Sequence, residues 1–195
     1  MKATMNATIA MALATGILTW TPSAQAVVSS TFSYDNWQGM VGEFTTIDFT
    51  GYPNNTPITN QYAGLGITFA TPTFIFATSG FVNDGWGIDG PAGIHILFRE
   101  SQSWLAIHHG GNAYFNLYSH GSLIGTSAFD PVGGIGSFLG VVSTQPFDEV
   151  VITKPEIYGI HFAVDDLHWG NQVPAPGALV FISLLPFTSN RKRRC

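Results

Sequence analysis

W-L-A-I-H-H-G-G-N-A-Y-F-N-L-Y-S-H-G-S-L-I-G-T-S, residues 104–127, reads as three short strands and very little else. Trp104 to His108, Ala113 to His120 and Ser122 to Ser127 are rich in aliphatic, aromatic and Thr side chains, and Gly110-Gly111-Asn112 and Gly121 divide them. Short runs of this composition bounded by Gly are strand signals. The same punctuation spreads outward. Glu43 to Phe49 sets Phe44, Thr46 and Asp48 against Thr45, Ile47 and Phe49, then stops at Gly51-Tyr52-Pro53-Asn54-Asn55. Further runs are Ile67 to Ala70, Thr73 to Ala77, Gly93 to Phe98, Ser137 to Ser143, Glu149 to Thr153 and Tyr158 to Trp169. No 11-residue window after Gln25 carries a helical stripe. About ten strands so spaced predict an all-β, jelly-roll-like sandwich over residues 27–172, with helix confined to Met1 to Trp20 and the C-terminal apolar run. Expected buried positions are Phe44, Ile47, Phe49, Ile67, Phe69, Phe98, Leu105, Ile107, Phe115, Leu117, Phe138, Val150, Ile152, Phe162, Val164 and Leu167.

Both ends read as export signals. Lys2 precedes a mostly apolar stretch from Ala7 to Trp20, and Thr21-Pro22-Ser23-Ala24-Gln25-Ala26 ends in the small-X-small pattern of Ala24 and Ala26, predicting a signal peptide over residues 1–26. The one cysteine is Cys195, so the exported body holds no internal disulfide and depends on its core. That body has two bases, Arg99 and Lys154, against twelve acids, a net charge of −10. Phosphate backbones and anionic membranes require Lys and Arg, so nucleic acid is not an expected partner.

Residues 173–195 follow a distinct order: Val173-Pro174-Ala175-Pro176, an 11-residue apolar run from Gly177 to Phe187 broken by Pro186, then Arg191-Lys192-Arg193-Arg194. This order resembles the C-terminal sorting tail of PEP-CTERM proteins, with Ala175 where Glu is commonest. The resemblance implies a cell-envelope or secreted protein, signal peptidase and an exosortase-type transpeptidase as partners, and transient inner-membrane contact through the tail. The run is shorter than the roughly 20 residues a spanning helix needs. Ile47-Asp48-Phe49 with Thr59-Asn60-Gln61-Tyr62-Ala63-Gly64-Leu65-Gly66-Ile67-Thr68-Phe69 is similar to the opening of a sandwich domain recurrent in PEP-CTERM proteins. Phe162-Ala163-Val164-Asp165-Asp166-Leu167 resembles the last strand of carbohydrate-binding and galactose-binding-like jelly rolls.

Catalytic patterns are missing: there is no Gly-X-Ser-X-Gly, His-Glu-X-X-His or phosphate-cradling Gly loop. If residues 110–112 turn a hairpin, His108 and His120 lie roughly 23 Å apart, too far for one metal ion. Two binding candidates remain. Asp48, Asp165 and Asp166, at the ends of the first long and last strands, can supply hard oxygens to a structural calcium, or cap turns as solvated acids. Trp86, in the loop Phe81 to Pro91 with Asn83, Asp84 and Asp89, offers a stacking face and hydroxyl partners to a sugar, or folds back over the core. Trp37, between Asn36 and Gln38, is a second candidate of the same kind. The functional expectation is a non-catalytic, exported surface or matrix protein with weak affinity for extracellular polysaccharide and no catalytic cofactor. A secreted glycan hydrolase or lyase, and an adhesive module with no glycan ligand, are the alternatives.

Overall fold

The structure, a computed structural model, describes residues 26–70, 73–77, 85–90, 93–130, 133–153 and 162–171. Residues 1–25 of the expected signal peptide, the expected sorting tail, Asn83 and Asp84 lie outside the described residues. The fold is all-β, one large antiparallel sheet folded over on itself as a sandwich. Among the described residues eleven strands follow one another as β1 (Val28–Thr31), β2 (Thr45–Ile47), β3 (Pro57–Ile58), β4 (Ile67–Phe69), β5 (Thr73–Ala77), β6 (Trp86–Asp89), β7 (Ile94–Gly110), β8 (Tyr114–Ser119), β9 (Ser122–Thr126), β10 (Ser137–Thr153) and β11 (Ala163–Gly170).

Two strands of 17 residues, β7 and β10, connect the layers. In one layer β4 pairs with residues 96–98 of β7, and residues 94–97 of β7 pair with 149–152 of β10, which is followed by β8 and β9. In the other, β1 pairs with the start of β10, whose residues 137–142 pair with 104–109 of β7, followed by β11. The far edge of β11 is shared by β2 and β6, and β5 and β3 continue beyond β6. Between the two layers the ladder is interrupted twice. Residues 98–101 of β7 face only residue 148 of β10, and residues 143–146 of β10 face only residue 103 of β7. Extra residues of this kind bend a strand and increase its twist, which lets one strand serve both layers.

The main core lies between the layers and includes Phe49, Ile96, Leu105, Phe115, Phe147, Val150 and Leu167. Every expected core residue is buried except Phe44, which is half-buried against a second cluster. That cluster, Trp37, Trp104, Ala106 and Phe138, covers the opposite face of the second layer, so residues 104–107 of β7 are buried on both faces.

Four sequence expectations need correction. A helix, α1 (Tyr34–Gln38), stands where none was expected. Ser33 caps it by accepting a hydrogen bond from the Asn36 N–H, and Trp37 anchors it, but five residues are too few to show a periodic stripe. A single 3₁₀ turn, Ala63–Leu65, is also present. Trp86 opens strand β6 instead of riding a loop, with Trp86 opposite Ala77. Residues 110–112 do not close a hairpin, because β10 lies between β7 and β8. The tight hairpin is β8 to β9, where His120 and Gly121 both take positive φ (51° and 75°), matching the twist of the flanking strands.

Candidate functional site

Where β7 leaves the ladder, an open cleft of about 830 Å³ forms. Its walls come from three places: the segment leading into β2 (Gly42, Glu43, Phe44, Thr45), the bend of β7 (Arg99, Glu100, Gln102, Trp104) and the end of β11 (Trp169, Gly170, Asn171), with Leu65 and Gly66 on one rim. The Arg99 N–H donates to the Gly66 carbonyl at 2.8 Å, and the Gln102 amide donates to the Glu100 carbonyl at 2.6 Å, so the bend is fastened from both sides. Trp104 and Trp169 line the cleft while almost wholly buried. The buried Trp104 Nε1 has no hydrogen-bond partner among the described residues, an expensive state for an indole N–H unless water or a ligand meets it. Gly170 makes room for that indole: a Cβ there would sit 2.4 Å from Trp104 Nε1.

The proposed calcium ligands are not gathered into one set. The pairing Leu167 to Ile47 does bring the ends of β2 and β11 side by side, as the sequence led us to expect. Asp48, however, turns back on its own loop, its Oδ1 accepting from the Thr50 N–H at 3.1 Å and the Thr50 hydroxyl at 3.0 Å. Asp165 is buried and accepts from the Asp166 N–H at 2.8 Å. Asp166, in the left-handed region at φ 42°, is the extra residue of a bulge and turns its carboxylate to His108 Nδ1 at 3.4 Å. Among the described residues no group of three or more His, Cys, Asp or Glu side chains is placed to hold a metal ion.

The aromatic candidates also land differently. Trp37 is fully buried, its Nε1 donating to the Val141 carbonyl at 3.3 Å, and offers no face to a sugar. Trp86 is half-buried against the main core. Asp89 sits opposite Phe74 on β6, and its buried Oδ1 has no hydrogen-bond partner among the described residues.

Beneath α1 lies a polar cluster that sequence reading missed. His108 of β7 and His168 of β11 meet edge to face with ring centres 5.8 Å apart, and Tyr34 lies 5.7 Å from each. Thr46 of β2 is hydrogen-bonded to His168 Nδ1 at 2.8 Å. Burial pushes His168 down to about 4, against the opposing pull of Asp166, so its imidazole is neutral at pH 7. His108 holds the Asp166 carboxyl below its ordinary value, outweighing the effect of burial. The available signal was His168 standing two residues after Asp166; the missing information was that β7 and β11 are neighbours. Elsewhere burial also lowers His109, whose Nδ1 lies 2.8 Å from the Gly111 carbonyl, and burial, then Tyr52 and Asp48, raises Tyr62 to about 12.

No protein-family model matches the chain, and no curated protein does. Among solved structures the chain is similar to the structure of the M60 catalytic domain with the CBM51-1 and CBM51-2 domains from Clostridium perfringens ZmpB, at a TM-score of 0.34 and 14% identity. The match covers 75% of this chain and 18% of that one. A likeness of this extent identifies neither ligand nor activity.

Proposed function

We propose that this protein is an exported, non-catalytic module of the cell surface or extracellular matrix that binds polysaccharide weakly in the cleft at the β7 bend. The observation that carries the reading is the cleft's composition: the side chains of Gln102 and Asn171, charged groups on both walls, and apolar surface beside them. Sugar sites need such hydroxyl partners beside apolar surface, here Phe44, Leu65, Trp104 and Trp169. An open cleft suits a chain passing through, and its shallow aromatic surface suits low affinity.

Affinity electrophoresis in gels cast with xylan, glucomannan or polygalacturonate tests the reading. Retention by at least one gel is expected, and Asn171→Ala should reduce it about fivefold, the loss of one hydrogen bond, with Tm unchanged. Trp86→Ala serves as the contrast, since it should lower Tm by stripping the core while leaving retention of the folded fraction intact. Loss of retention with Trp86→Ala alone would move the site to the 81–91 segment, and no retention by any gel would end the glycan reading.

Export and sorting belong to the same proposal and rest on the sequence signals around Ala26 and Pro174 to Arg194. Intact mass of the exported protein should give a chain beginning at Val27 and, in a host with an exosortase, lacking the residues beyond about Pro176. A mature chain holding both Met1 and Cys195 would refute it.

A further inference from the structure

Resting on the glycan reading above, we infer that the cleft selects carboxylate-bearing sugars, with the Arg99 guanidinium as the selecting group. Of the body's two basic side chains, Arg99 lines this cleft, and Lys154 lies outside the described residues. Arg99 is exposed, and its backbone is tied to Gly66. Its guanidinium rests over Gly66, where a Cβ would lie 3.8 Å from Arg99 Nη2. The ion pairs among the described residues all use histidine; none uses Arg99, although Glu43 and Glu100 border the same cleft. Among the described residues the arginine in the cleft therefore makes no ion pair with a carboxylate.

A guanidinium presents a planar fork of N–H donors that matches the two oxygens of a carboxylate, and such charge-assisted pairs are stronger than neutral hydrogen bonds. The net charge of −10 opposes an incoming polyanion at long range. At physiological ionic strength charges beyond about 8 Å are screened; within the cleft Glu43 and Glu100 also oppose the carboxylate, so the selection rests on its direct contact with the guanidinium fork. Asn171, exposed at the end of β11, then serves a neutral hydroxyl of the same sugar.

The probes are polygalacturonate and its fully methyl-esterified form, the same backbone with the charge removed, in affinity gels at 150 mM salt containing EDTA. The wild type is expected to be held about tenfold more tightly by the acid than by the ester. Arg99→Gln should erase that difference, and Arg99→Lys, which keeps the charge but loses the fork, should retain only part of it. Equal retention by acid and ester, or retention only by neutral xylan or glucomannan, overturns the inference while the glycan reading stands. Dextran sulfate held as tightly as polygalacturonate overturns the carboxylate assignment. If no gel retains the wild type, the glycan reading has failed first. Tm of each variant should match wild type because Arg99 is exposed; should Arg99→Gln not fold, the Arg99→Lys comparison still decides.

Discussion

Alanine at position 37 is expected to lower the unfolding free energy by about 3 to 5 kcal/mol, the usual cost of truncating a large buried aromatic. Trp37 is completely buried, donates to the Val141 carbonyl, and packs against Tyr34, Phe44, Phe138 and His168. The strand beneath has little freedom to fill the gap. Gly140 of β10 already passes so close that a Cβ would lie 2.4 Å from Trp37 Cδ1, and the bare backbone left behind cannot occupy an indole's volume. Because domains of this size are stable by only about 5 to 15 kcal/mol, the loss would be a large fraction of the total. Urea titration should show a lower midpoint at an unchanged slope. A midpoint corresponding to less than about 1 kcal/mol of loss would mean that α1 is not fastened to the sheet as described.

Acid is expected to weaken the fold through His168. In the unfolded chain this imidazole titrates near 6.5, whereas in the folded chain it stays neutral down to about 4. Between those values the unfolded state binds more protons, so stability is present in full above pH 6.5 and falls as pH drops toward 4. His168 is 5% exposed, so little solvent screening reduces the effect. From pH 7.5 to 4.5 the loss from this residue should be about 2 to 3 kcal/mol. His109, also lowered by burial, acts in the same direction. Asp166 has the opposite titration: its depressed value stabilises the fold above the ordinary carboxylate range and is lost only at more acid pH. Denaturant titrations of wild type and His168→Gln at both pH values isolate the histidine. An equal fall in the two proteins would assign the acid sensitivity to other groups.

The strands were legible because their signals are local. Runs of β-branched and aromatic side chains ended by Gly or Asn-rich turns mark β4, β5, β8 and β9 nearly to the residue, and alternation places Ile47, Phe115, Leu117, Val150 and Ile152 in the core. The long strands were divided in the reading, 93–98 from 104–108 and 137–143 from 149–153, at the polar stretches where β7 and β10 leave the ladder. There the backbone continues as strand through a run of mostly polar residues, with Phe147 and Gln102 still buried, and composition alone cannot separate a bend from a break.

Trp37 and Trp86 illustrate the second limit. Each stands among Asn, Asp, Gln or Gly, the company of an exposed sugar site, yet each packs inward because a neighbouring strand supplies apolar surface. The cleft is a consequence of the fold in the same way. Arg99 and Asn171 are 72 positions apart in the sequence and share a wall only because β7 bends beside the end of β11. By itself the sequence determined the all-β class, the acidity of the stretch between its two ends and most of its core, since these follow from composition and short-range periodicity. Only the tertiary structure decided which strands are neighbours, which tryptophans are buried, that Asp48 bonds Thr50 of its own loop while Asp166 turns to His108, and that His108 and His168 share a box beneath α1. Those depend on register and strand order, which are set by the packing of residues far apart in the chain and leave no short-range trace.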